Sequence, residues 1–260
     1  MGYSGGDGTV GKALSVLDLV ASFGRPVRFS EILQKSDLPK PTLYRFVQSL
    51  ANQNMLSYDQ DRQTYAPGVR LLRLAHSAWA QSSLAPVARP FLDQLFAEVG
   101  EAVHLAQIDN GQVLFIDKRR PATGVDTLAQ AGQVAPAYCT GVGKVILAFM
   151  SPERLERAMK QQAFLRYTPA THVDAAVLER ELDTIRAAGF AFDREEHETG
   201  IISIAAPIFG AHERVIGAIS IATSTSRHTI EGLEVFGASL KSIAQQIGAE
   251  AQSWQSPTHI

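Results

Sequence analysis

Apolar residues recur at helical spacing near the start of the chain. Ala13, Leu14, Leu17, Val20 and Ala21 share one side of a segment from Val10 to about Phe23. Thr9 stands where a cap is expected, and Gly24-Arg25-Pro26 stops the run. Val27-Arg28-Phe29 reads as a short extended piece, and Ser30 as the N-cap of a short helix through Lys35 with Glu31 in its first turn. Beyond the turn Ser36-Asp37-Leu38-Pro39 a third helix is predicted to about Gln53. Pro41 takes its first position, where a missing N–H costs nothing. Leu43, Phe46, Val47 and Leu50 form its apolar face, and Thr42, Arg45, Ser49 and Asn52 the opposite, polar one. Two short extended runs, Leu56–Tyr58 and Thr64–Ala66, flank Asp59-Gln60-Asp61-Arg62 in the pattern of a β-hairpin. Helix, short helix, turn, helix and hairpin is the order of a winged helix-turn-helix.

The pattern then changes. Val69 to about Ser77 has helical spacing, and a longer amphipathic helix is predicted from about Leu84 to Val99, ended by Gly100. Its Leu84, Val87, Phe91, Leu92, Leu95 and Val99 suffice for a hydrophobic seam between copies of the chain as well as a link to the core. Ala102–Ile108 and Gln112–Lys118 flank Asp109-Asn110-Gly111, where Asn-Gly tolerates positive φ. Helices are expected from Gly141 to Met150, from Ser151-Pro152-Glu153 onward, from about Asp174 to Ala188, and from Thr229 to Gln252. Strands are expected at Phe190–Arg194, Ser203–Ile208 and Val215–Ala222. This order predicts the α+β class with a largely antiparallel sheet. The expected organisation is a DNA-binding domain over 9–77, a linker helix region over 78–100 and a second domain over 101–252, with the boundary around 78–84.

A chain of 260 residues, 45% of them hydrophobic, can build one large core or two smaller ones. The net charge of −2 advertises no affinity for nucleic acid, but it is unevenly spread. From Thr9 to Ser77 nine Lys and Arg face five Asp and Glu, a net of +4; from Ala78 onward fifteen face twenty, a net of −5. That suits a phosphate-contacting head on a body that need not touch DNA. Cys139 is the single cysteine, which excludes an intrachain disulfide and a zinc ribbon. No apolar stretch approaches the roughly 18 residues of a membrane span. The glycine-rich start, Met1–Gly8, has no apolar secretion core. The expectation is a cytoplasmic protein with no membrane partner.

Enzymatic readings find little support. Gly6, Gly11 and Lys12 have the spacing of a P-loop front, but Ala13 follows where Ser or Thr is needed, and Gly141-Val142-Gly143-Lys144 is equally incomplete. Glu195-Glu196-His197-Glu198, with His104 and His172, has metal-binding residue types but reads first as a solvated acidic loop. Cys139 has no evident base, and no zinc-protease or serine-hydrolase motif occurs. Neither catalysis nor a metal or cofactor is expected. DNA reading is. A recognition helix enters the major groove by its N-terminal end, where Lys40, Thr42, Tyr44 and Arg45 lie. Lys40 suits phosphate, Thr42 a phosphate or thymine methyl, and Arg45 guanine or phosphate. Tyr44 either joins them or packs sideways onto the core. Ser49 and Asn52, farther along, are placed to meet the backbone, and Arg62 at the hairpin tip a flanking phosphate or minor groove. A second site follows from the Gly-x-Gly turn at Gly141. A helix opening there presents free N–H groups at its positive end, ready for a carboxylate, with no Asp or Glu in Ala135–Leu147 to compete.

Three stretches resemble the IclR (isocitrate-lyase-regulator type) family of bacterial transcription factors. Leu38-Pro39-Lys40-Pro41-Thr42-Leu43-Tyr44-Arg45 is similar to the family's Leu-Pro-Lys-Ser-Thr-x-x-Arg recognition-helix start, with Pro41 in place of Ser. The second stretch is Ala137 to Ala148. The third runs from Gly189 through Asp193-Arg194-Glu195-Glu196 to Ser203–Phe209, with Gly210 where Asp or Asn is usual. The resemblance covers about Thr9 to Ala251. It implies a winged-helix DNA-binding domain, a linker helix used in dimerisation and a GAF-like effector domain. It also implies dimers, often paired into tetramers, on pseudo-palindromic double-stranded operators. Carried over residue by residue, it places the effector's carboxylate on the N–H groups of Gly141 and Val142, with polar contacts from Asp193, Ser203 and Ser220. Thr127, Ala135 and Ile201 would form the apolar or shaping wall. Ala222 replaces a second serine, and Ser203 stands where cysteine is common, so the hydrogen-bonding set differs. The function expected is a ligand-responsive DNA-binding regulator, a repressor of a catabolic operon retuned by a small carboxylate such as a sugar acid. The alternative is an activator responding to an aromatic or short organic acid.

Overall fold

A computed structural model describes residues 8–82, 84–122 and 127–253. Gly6 of the P-loop-like spacing, nearly all of the glycine-rich start, and Ser83 in the expected boundary lie outside the described residues. The chain divides into two compact units, Met1–Gln81 and Ser82–Ile260.

In the first unit the order is α1 (Gly8–Ser22), β1 (Val27–Arg28), α2 (Phe29–Lys35), α3 (Lys40–Asn52), β2 (Leu56–Asp59), β3 (Thr64–Pro67) and α4 (Val69–Ser82). One core joins Val16, Leu17 and Val20 of α1 to Ile32 of α2 and to Leu43, Phe46, Val47 and Leu50 of α3. The α1 stripe is rotated from the one expected: Leu14 is 48% exposed and Val16 takes the inner place. At the start of α2 the cap differs too. Arg28 is the N-cap, and Ser30 lies exposed within the first turn. The orphan N–H of Arg28 is met by the Glu31 carboxylate at 2.9 Å, which Arg25 holds at 2.6 Å. Pro41 is the second residue of α3, a position whose N–H would also be free. The hairpin β2–β3 is antiparallel, β1 adds to its β3 edge, and the Asp59 carboxylate ties the tip by accepting from the N–H groups of Asp61 and Arg62 at 3.0 Å. On α4 the apolar Val69, Leu72 and Leu74 are exposed.

The second unit holds α5 (Ala85–Val99), β4 (Ala102–Asp109), β5 (Gln112–Arg119), β6 (Val134–Pro136), α6 (Gly141–Ala148), α7 (Pro152–Lys160), α8 (Ala175–Ala188), β7 (Ala191–Arg194), β8 (Ile201–Phe209), β9 (Val215–Ser224), α9 (Ile230–Glu234) and α10 (Gly237–Glu250). Six antiparallel strands form one sheet in the order β6-β5-β4-β9-β8-β7. This is the α+β architecture expected. Asn110 and Gly111 both take positive φ in the β4–β5 turn, as the Asn-Gly pair requires. The Asp174 side chain caps α8 by accepting from the Ala176 N–H at 2.8 Å, and Gly189 ends that helix in the left-handed conformation. The single last helix expected from Thr229 to Gln252 is instead two. The Phe236 N–H bonds three residues back to Leu233, and the chain re-enters helix at Gly237. Among the described residues no helix is long and apolar enough to cross a membrane.

The α5 stripe divides between core and surface. Leu84, Leu92 and Leu95 are fully buried, with Ala85 and Ala88, against α10, β4 and β5 of their own chain. Val87, Phe91 and Val99 of the same stripe are half-buried.

Candidate DNA interface and effector pocket

The outer face of α3 is the one the heptad-like spacing left polar. Lys40, Tyr44, Arg45, Ser49 and Asn52 are exposed, and Thr42 is half-buried. Tyr44 does both things open to it: its ring stands edge-on to Phe29 at 5.7 Å while 53% of the residue stays exposed. The Arg45 guanidinium lies 5.6 Å from the Phe46 ring centre, its charged end carrying no carboxylate among the described residues. Arg62 extends from the hairpin tip with its side chain 80% exposed and only a distant, 4.0 Å approach to Asp59. Side chains of the types that suit phosphate and base edges are thus presented on the end of a helix that is anchored from behind by four buried residues.

The second site is built on the sheet. Strand pairing sets Lys118 (β5), His104 (β4) and Ser220 (β9) side by side, and Ala222 (β9), Ser203 (β8) and Asp193 (β7) in the next row. Side chains two apart on a strand share a face, so both rows look the same way. A bulge opposite Leu105 and Ala106 lets Phe115 and Lys118, three apart, both join that face. The opposite face meets α10, where a Cβ on Gly237 would lie 3.6 Å from Ile204 Cδ1.

Over the polar rows sits the start of α6. Thr140 caps it: its hydroxyl accepts from the Gly143 N–H at 3.3 Å and donates to Pro136 O at 2.8 Å. The Lys144 N–H bonds Thr140 O. The N–H groups of Gly141 and Val142 have no acceptor among the described residues. Gly141 lies close to β8: a Cβ there would come within 2.9 Å of Ser203 Oγ, so a larger residue requires that hydroxyl to turn away. Thr127, Gly141, Val142, Asp193, Ile201, Ser203 and Ser220 line one cavity of about 50 Å³. Ala135 does not; it is buried on β6, paired with Val113 in the neighbouring apolar core. The cavity also takes in Ala222, which replaces a serine in the resemblance, and His104, Phe115, Ala129, Thr140, His197 and Glu198, which were not expected as part of the site. Glu198 closes one side by accepting from the Leu128 N–H at 3.1 Å.

The electrostatics of the pocket are set by burial. Burial, reinforced by Glu196, raises the Asp193 carboxyl to about 7, against a bond from the Glu196 N–H that favours the anion. Burial and the nearby Lys118 charge lower His104 to about 3, so its ring is neutral. Burial, with Asp193 and Glu196 adding, pushes the Cys139 thiol far up, which leaves it an inert core group. Behind the pocket the fully buried Lys144 ammonium is held by Glu196 at 2.5 Å and Glu181 at 2.7 Å. His172 joins those two carboxylates in a cluster of metal-ligating types, but the lysine already supplies the positive charge they require. His104 lies elsewhere, in the pocket.

Asp193 gives a test of the folded state. The native chain keeps a proton that the unfolded chain releases near pH 4, so the contribution of Asp193 to stability falls as pH rises from about 4 to about 7, by on the order of 4 kcal/mol. Asp193→Asn is expected to flatten that slope in thermal melts. Equal slopes for parent and variant would mean the carboxyl titrates normally.

Comparison with known proteins follows the two units. The IclR helix-turn-helix domain matches residues 9–60, and the domain described as bacterial transcriptional regulator IclR C-terminal matches residues 76–249. The chain belongs to the IclR family. Among its relatives, the transcriptional repressor IclR of Escherichia coli (strain K12) is 28% identical over 238 residues, 91% of this chain and 87% of that protein. The crystal structure of the Thermotoga maritima IclR is 28% identical with a TM-score of 0.76, covering 94% of this chain and 98% of that one. An IclR homolog from Microbacterium hydrocarbonoxydans, complexed with 4-hydroxybenzoate, shares the fold at 24% identity and a TM-score of 0.79, over 94% of this chain and 99% of that one. IclR proteins are DNA-binding transcriptional regulators, not enzymes, and this chain is one of them.

Proposed function

We propose that the protein is a repressor of a catabolic operon whose hold on operator DNA is changed by a small carboxylate bound at the start of α6. The observation that carries this is the pair of unpartnered N–H groups at Gly141 and Val142, facing a cavity walled by hydrogen-bonding side chains. A solved homolog holding 4-hydroxybenzoate supports an acid as the ligand class. The acid expected is a small one such as a sugar acid, held by its carboxylate at the two amides. On this reading 9–77 bind DNA, 78–100 link, and 101–252 sense the effector. The test is release of operator DNA by short acids and by their amides in a mobility-shift assay. If the amide acts as well as the acid, charge is not read and the anion site is wrong.

Operators with two half-sites need two recognition helices, so self-association belongs to the same reading. Apolar residues open to a partner include Val87, Phe91 and Val99 of α5, half-buried, and Val69, Leu72 and Leu74 of α4, 64%, 71% and 51% exposed. A dimer or tetramer is expected at micromolar concentration, and Leu72→Glu should weaken it. Light scattering that finds a 28.2 kDa particle for the parent excludes the assembly.

A further inference from the structure

We propose that the recess between α7 and the β4–β5 turn is a second ligand site, which takes a phosphate dianion, free or as the end of a small phosphate monoester. It is separate from the pocket at the start of α6, with which it shares no lining residue.

Arg154 and Arg157 stand three apart on α7, so they fall on one face of it. Both line a cavity of about 100 Å³. The ion pair on this helix goes to Lys160 and Glu156, at 2.6 Å; among the described residues Arg154 and Arg157 have none. Arg157 spends one donor, Nε, on Glu153 O at 3.4 Å, which leaves both terminal amino groups. Arg214, just before β9, brings a third positive charge to bear on Arg154. Burial and these two like charges disfavour the Arg154 cation, lowering it from its usual value. Like charges gathered at a half-buried side chain repel one another until an anion comes between them.

The turn supplies further donors to the same cavity. Asn110 and Gly111 both have positive φ, and their N–H groups donate to no acceptor among the described residues. Gly111 is buried, and its carbonyl already accepts from Gln162 Nε2 at 2.6 Å. Asp109 is the one carboxylate among the described lining residues, and its Oδ1 accepts from Asn110 Nδ2 at 3.2 Å.

Charge selects the ligand class. Three cations against one carboxylate leave two positive charges to match. A phosphate monoester carries about that many at neutral pH, and its oxygens suit the paired donors of a guanidinium. A carboxylate brings only one. A DNA phosphodiester also brings one, and the chain from Ala78 onward has a net charge of −5, which opposes a duplex at long range.

The test is calorimetric titration of the full chain with inorganic phosphate and with glycerol 1-phosphate. At least one should bind saturably, and which of them binds more tightly tells the free anion from the monoester. Arg154→Gln, which keeps a polar side chain of similar reach and removes the charge, should weaken binding by about tenfold or more. Arg157→Gln should do the same, and it carries the test if Arg154→Gln does not fold, since Arg157 is exposed. Without phosphate Arg154→Gln should melt no lower than the parent, because it removes a repelled charge; with phosphate only the parent should gain. Val142→Pro should bind phosphate as the parent does. Loss in Val142→Pro with retention in both glutamine variants puts the anion at α6 and overturns this site. Retention in all three variants overturns it too, as does the absence of saturable phosphate binding by the parent.

Discussion

Arg45→Ala is expected to abolish specific operator binding while leaving the fold intact. The side chain is exposed on α3, its guanidinium has no carboxylate partner among the described residues, and the helix is held by Leu43, Phe46, Val47 and Leu50 behind it. Its only described contact is across the Phe46 ring, whose burial does not depend on it. A lost base contact costs roughly 1–3 kcal/mol per half-site. A two-fold assembly loses it twice, so the effect reaches roughly 2–6 kcal/mol, about thirtyfold to more than ten-thousandfold in affinity. Footprinting and a thermal melt, at matched salt, check both halves of the expectation. A variant that grips operator like the parent would show that this face of α3 is not the one in the groove.

Val142→Pro is expected to fold, to bind operator, and to lose its response to acids. Proline removes one of the two unpartnered N–H groups at the second residue of α6, inside the first turn, where no intrahelical bond is broken. A hydrogen bond to a charged group contributes about 1.5–3 kcal/mol, so affinity for the acid should fall roughly ten- to 150-fold. Truncating Ser203 or Ser220 should instead alter which acid is preferred, since those side chains line the cavity beyond the amides. A Val142→Pro protein that still releases DNA at the parent's acid concentration would remove the carboxylate from this helix end.

Local signals were easy to read along the chain. The spacing of Leu43, Phe46, Val47 and Leu50 announced α3 and its inner face, and Asn110-Gly111 announced the β4–β5 turn. The glycine turn before α6 pointed to free amides. What could not be read was set by strand register. His104 meets Ser220 only because β4 pairs with β9, and Phe115 reaches the pocket only through a bulge. Neither relation leaves a mark in one sequence. The α5 stripe shows the converse limit: periodicity tells that Leu84, Leu92 and Leu95 are covered, not by what, and the cover is their own sheet and α10. The N-cap falls at Arg28, two residues before Ser30, because Glu31 reaches back to the Arg28 N–H and satisfies the helix start there.

The proposed site would divide recognition between main chain and side chain, and that division would govern how the protein can evolve. The N–H groups at Gly141 and Val142 survive every substitution except one that creates proline, so the demand for an acid is hard to lose by drift. On that reading the rest of the ligand would be met by Ser220, Ser203 and Asp193, each on its own strand and each replaceable without touching the backbone ladder. If the site works as proposed, a lineage carrying this domain can exchange one metabolite for another in single steps while remaining a sensor of acids.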